Sequence, residues 1–198
     1  LKYNSIGYVP VLGAYPYTAL TSQNFHQDSS PDERGNIIRF PFGVQVSGGW
    51  IAVNPLAAAR DFSAILYDAD GSTILSETVI DADTFQTAAA LRSAYLPFSS
   101  PISLNANTDY RWVIRPNTTL NNTVQDADLP SASHRTALSW GENCSHTERT
   151  NAGAWTNTTT KRTFCGLVVS AVDIPSSVGG AAAPFIMCRN PGPFCERS

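Results

Sequence analysis

The chain has 198 residues, enough for one sizeable hydrophobic core and short for two. Thirteen lysines and arginines face sixteen acids, for a net charge of −3, and charged residues make up 15% against 42% hydrophobic. This balance argues against the clustered basic footprint of a nucleic-acid binder, and no run of eighteen apolar residues is present to cross a membrane as a helix.

Residues 1–36 read as an extended N-terminal arm of poor periodicity. They carry Tyr3, Tyr8, Tyr15 and Tyr17, four of the seven tyrosines, with Pro10 and Pro16. Residues 1–20 lack the basic-then-apolar layout of a signal peptide. Tyrosine brings contact area at little entropic cost, so such an arm is expected to dock. It folds over its own domain or reaches a neighbouring subunit, and the sequence leaves both open.

Strands are expected over most of the chain after residue 36. "IIRFPFGVQV" (37–46) alternates, with Phe40, Phe42, Val44 and Val46 on one face. Gly48-Gly49 reads as a turn pair before "WIAV" (50–53). "FSAILY" (62–67) and "STILSETVI" (72–80) flank an Asp-Ala-Asp-Gly stretch, and "TFQTAAALRS" (84–93) is the one helix-like composition. "AYLPF" (94–98), "TDYRWVIR" (108–115), "RTALSW" (135–140) and "TFCGLVVSAV" (163–172) complete the set. In "TDYRWVIR" the period of two sets Tyr110, Trp112 and Ile114 against Arg111 and Arg115. The expected fold is an all-β antiparallel sandwich, jelly-roll-like, over 37–174, with a loop-rich C-terminal tail over 175–198.

Asp68 and Asp70 ahead of Gly71 suggest a calcium loop at first sight. A helix-loop-helix calcium site needs Gly at the sixth position and Glu at the twelfth. Counting from Asp68, those positions hold Thr73 and Val79, so a hairpin turn is expected instead. Asp81 with Asp83, and Asp126 with Asp128, read as solvated loop charge.

"FSAILYDADGSTILSETVI" followed by "YLPFSSPISLNANTDYRWVIRP" is similar to the jelly-roll modules of phage tail-fibre, tailspike and capsid-decoration proteins. It also resembles carbohydrate-binding modules of secreted enzymes. The likeness covers about residues 37–172 and is structural rather than catalytic, so it implies a fold more firmly than a function.

Signals for chemistry are sparse. The histidines His26, His134 and His146 have no Gly-x-Ser-x-Gly elbow to serve, and no phosphate loop or zinc-protease motif is present. No enzymatic activity and no cofactor or metal are expected. Trp140 and Trp155 flank a polar segment containing Asn143, His146 and Arg149. These five form a candidate sugar platform, and the alternative is that both tryptophans plug the end of the sandwich. Asn117, Asn121, Asn143 and Asn157 each begin an Asn-x-Ser/Thr triplet, a glycan acceptor only in a eukaryotic secretory product.

Two functions are therefore expected. One is a non-enzymatic structural protein of a virus or phage particle, a decoration, cement or fibre component at the virion surface or otherwise extracellular. It would act through contacts with other copies or other virion subunits, the arm tyrosines among them. The alternative is a carbohydrate-binding module, either a receptor-binding tip or attached to a secreted enzyme, with a surface glycan as partner.

The four cysteines read as two disulfides, Cys188–Cys195 across the Pro191-Gly192-Pro193 bend, which leaves Cys144 with Cys165; the alternative for the second pair is that Cys165, within a strand, is a buried thiol. Mass spectrometry of the non-reduced protein is expected to recover a peptide joining Cys188 to Cys195. Two free thiols there after oxidative exposure would count against it.

Overall fold

The computed structural model describes residues 19–25, 31–55, 61–80, 92–117, 122–128 and 143–173. Twelve strands occur in these residues, and no helix among them. They are β1 (Ala19–Phe25), β2 (Glu33–Arg39), β3 (Gly43–Pro55), β4 (Phe62–Tyr67), β5 (Ile74–Ile80) and β6 (Arg92–Leu104). Then come β7 (Asp109–Pro116), β8 (Asn122–Asp128), β9 (Asn143–Arg149), β10 (Thr156–Thr158), β11 (Lys161–Thr163) and β12 (Cys165–Asp173).

These strands form two antiparallel sheets packed face to face. The first follows the order β1-β8-β3-β12, with β6 also on β3 and β11 on β8. The second follows β10-β9-β2-β7-β4-β5. The chain moves repeatedly from one sheet to the other, as it does in jelly rolls, and the fold is a β-sandwich.

Pro41 drives one crossing. The expected single strand 37–46 is in fact the end of β2 and the start of β3, which lie in different sheets. Proline has no amide hydrogen to continue the ladder, so the chain leaves the second sheet there. Phe40, Val44 and Val46 nevertheless all enter the core.

Gly48 and Gly49 also differ from expectation, since they lie inside β3. A Cβ built on Gly49 would stand 2.3 Å from the Trp112 indole. Trp112, fully buried on β7, needs that space to reach across the sandwich and donate from Nε1 to the Trp50 carbonyl at 3.1 Å. Phe98 meets its ring edge-on at 5.8 Å, and Val46, Ile51, Phe62, Leu66, Leu104 and Ile114 complete the interior.

Other expectations shift as well. Strand β1 pairs along its length with β8, and Glu33–Asn36 belong to β2, so the sandwich starts before residue 37. Strand β8 holds Asp126 and Asp128, expected in a loop, because backbone pairing on both edges overrides its polar composition. The polar segment after Trp140 contains β9, whose neighbours are β2 and β10.

Tyr3, Tyr8, Tyr15 and Tyr17, the helix-like residues up to 91, Asp81, Asp83, Trp140, Cys188 and Cys195 lie outside the described residues. The 68–71 stretch is a turn. Gly71 N donates to the Asp68 carbonyl at 2.9 Å, and Gly71 takes φ +68°.

Gly49→Ala should destabilise the fold by about 1–3 kcal/mol or more, because the new methyl overlaps a fixed indole rather than a flexible chain end. Urea unfolding measures it. An unchanged midpoint would show that Trp112 does not depend on this gap.

Candidate functional site

Strand β2 runs through the middle of the second sheet, so alternate side chains divide between the interior and the outer face. Asn36 and Ile38 point inward. Glu33 points outward, yet it is fully buried. A buried carboxylate requires compensation, and neighbouring strands supply it. Glu33 Oε1 accepts from Arg149 at 2.8 Å, its register partner on β9, and from the Tyr67 hydroxyl at 3.1 Å. Arg115 on β7 stands 4.0 Å from the same oxygen and bonds Glu77 of β5.

Tyr67 is held as a donor. Burial above all, and then the Glu33 charge, push its pKa up to about 12. Over this cluster lies Trp155, from the strap that joins β9 to β10. Its ring stands edge-on to Tyr67 at 5.7 Å, with Arg149 4.5 Å and Arg111 5.2 Å from its centroid. Its Nε1 donates to the Gly71 carbonyl at 2.8 Å. A Cβ on Gly71 would lie 2.9 Å from that same Nε1 and from an Arg111 nitrogen, so only glycine suits the bend. Ile65 and Val113 form the apolar floor.

Asp70 turns away from this cluster to organise its own loop. Its carboxylate accepts from the Thr73 hydroxyl and from the Thr73 and Ser72 amides, which hold its pKa well below the usual range. Among the described residues no group of three or more acidic, His or Cys side chains is arranged to hold a metal.

Of the five expected platform residues, the structure brings two together, Arg149 and Trp155. Trp155 does not offer a bare ring, because guanidinium groups already lie against it. His146 alternates to the opposite face of β9 and is buried between the sheets. Asn143 is paired through its backbone register with Arg39.

His146 belongs to a second polar cluster. Its Nδ1 lies 2.8 Å from Thr163 Oγ1, and its Nε2 lies 3.4 Å from Glu148, which Arg34 also engages. The order hydroxyl, imidazole, carboxylate resembles a catalytic relay, but Thr163 is completely inaccessible and its hydroxyl also reaches the Gly35 carbonyl. Asn36 completes the cluster. Its amide nitrogen donates to the Thr163 and Cys165 carbonyls, and its oxygen accepts from the Thr163 amide.

The expected Cys144–Cys165 disulfide is not formed, and both residues are buried thiols. Cys165 Sγ meets Asn36 at 3.4 Å, whereas Cys144 sits in register with Ile38. That offset is one pleat repeat, about 6.8 Å along the strand. It aims the two sulfurs at different levels of the core.

Glu33 and Tyr67 had no signal of their own, being drawn from two strands far apart in the chain. Arg111 and Arg115 on the face opposite Tyr110, Trp112 and Ile114 were the one visible hint.

Burial first, then the Arg34 and Lys161 charges, lower the His146 pKa to about 4. The unfolded chain takes up its proton near pH 6.5, the folded protein only near 4, so stability falls as pH drops through that window. The loss should reach on the order of 3 kcal/mol at its acid end. Urea midpoints between about pH 7 and about pH 4.5 should fall less steeply in His146→Gln than in the parent. Parallel pH profiles would sink this assignment.

No protein-family model matches the chain, and no curated protein matches it.

Proposed function

We propose that this chain is a non-enzymatic structural module that works by contact with further copies of itself, in the manner of a decoration or fibre component of a phage or virus particle. The virion setting rests on the sequence resemblance. The contact role is supported by one observation. Ile74, Val79 and Tyr95, the exposed large hydrophobic residues among those described, all lie on β5 and β6. Each of these strands borders its sheet, and the two meet across the sandwich to make one flank.

Strand β5 has one bulge against β4, between the Ser76 and Ile74 pairings, and little other edge protection. It has no lysine or proline, and its one charge, Glu77, is neutralised by Arg115. Such an edge favours pairing with another chain.

Carbohydrate binding is the second reading, and the Glu33–Trp155 cluster favours it. That cluster combines a carboxylate with an unfilled oxygen and guanidinium donors beside Trp155 on one outer face, polar groups of the kind a saccharide site uses.

The contact role is tested by measuring assembly size in solution with light scattering. The parent protein should form a defined oligomer. Val79→Asp, at a position 62% exposed, should lower the assembly size while leaving the β-sheet circular dichroism unchanged. A parent chain that stays monomeric at every concentration would overturn this role.

A further inference from the structure

The outer-face cluster is unbalanced in charge and leaves bonding positions unfilled. Arg115 and Arg149 are matched by Glu77 and Glu33. Arg111 rests on the Trp155 ring instead, and its Nε has no hydrogen-bond partner. The two acids that attract it electrostatically are engaged elsewhere. Asp109 grips Arg39 with both oxygens, and Asp70 bonds Thr73 and Ser72. Arg149 shares the same indole, and its own Nε is likewise without a partner. Two cations thus stand on one ring. Burial holds the Arg111 pKa down, and repulsion from Arg149 adds to it.

The second oxygen of Glu33 is also unfilled. Oε2 is buried and accepts no hydrogen bond. An orphaned carboxylate oxygen in such a place calls for a donor. Above it, the strap is strained. Asn151 and Ala152 hold φ of 51° and 54°, a left-handed conformation that a residue such as alanine disfavours. The strap is anchored by the Asn151 amide on Asp32, the Ala152 amide on the Pro31 carbonyl, and Trp155 on Gly71.

We propose that this cluster is a binding site for an acidic saccharide, a sugar bearing a carboxylate. The carboxylate bridges Arg111 and Arg149 at the rim of Trp155, and a ring hydroxyl donates to Glu33 Oε2 as the 150–155 strap shifts. A neutral sugar would fill the Glu33 position but leave the two guanidinium groups opposed. A bare inorganic anion would answer the guanidinium groups but bring no ring hydroxyl to Glu33. The proposal deepens the carbohydrate-binding reading and rests on it.

The test is calorimetry of the full chain against oligomers of galacturonate, glucuronate and mannuronate, each beside its neutral methyl ester. At least one uronate oligomer should bind at least about tenfold more tightly than its ester, as expected for charge-assisted hydrogen bonds. Arg111→Gln, at a partly buried position, should abolish that preference with the circular dichroism unchanged. Glu33→Gln should weaken acid and ester alike. If acid and ester bind equally, or if Arg111→Gln keeps the preference, the acidic-ligand proposal fails while sugar binding stands. If no oligomer of either kind binds, both fail.

Discussion

The sandwich depends on one contact, the Trp112 indole lying in the space that Gly49 leaves open. Trp112 belongs to the second sheet and Gly49 to the first, so their fit sets how closely the sheets approach. The indole also spends its donor on the Trp50 carbonyl, which fixes the relative slide of β7 and β3. A Trp is worth about 3–5 kcal/mol when lost from a core. Here it joins two layers, so the packing of Val46, Ile51, Phe98 and Leu104 depends on its position.

A polar seam repeats the same join at another level. Asn36 of the second sheet offers its amide group to backbone at 163–165, where β11 gives way to β12 in the first. It completes the pairing that the chain itself interrupts at Phe164. Thr163, His146 and Arg162 close the surrounding bonds, with Arg162 Nε donating to the Cys144 carbonyl at 2.9 Å. Hydrogen bonds are directional where hydrophobic contacts are not, so this seam specifies register as well as closeness. The Cys165 thiol sits within it as a small buried group beside Asn36.

The outer face of the second sheet obeys a different logic. A sheet face turned away from the core is ordinarily solvated, yet Glu33, Ile65, Tyr67 and Val113 are all buried there. Strap 150–155 brings Trp155 over them, and the Asp68–Gly71 bend receives its indole. Both loops are therefore defined by what they touch. Gly71 serves the turn through its positive φ and serves the indole through its missing side chain.

Alternation by itself determined much of this protein. The all-β class, the β4–β5 hairpin with its Asp-Gly bend, and the division of β7 into Tyr110, Trp112 and Ile114 against Arg111 and Arg115 all come from period two and turn chemistry. Strands β8 and β9 were hidden, because polar residues there take strand geometry from neighbouring backbones rather than from their own pattern. The Gly48-Gly49 pair reads locally as a turn, and only residues far along the chain explain it as a close approach, Tyr95 and Leu96 against Gly48 and Trp112 against Gly49. Glu33, Tyr67, Arg115, Arg149 and Trp155 likewise come from separate strands and a strap. Their meeting depends on strand order and register, which are set by long-range packing. Composition located the arginines and the tryptophan, and the tertiary structure decided which acid and which ring they would face.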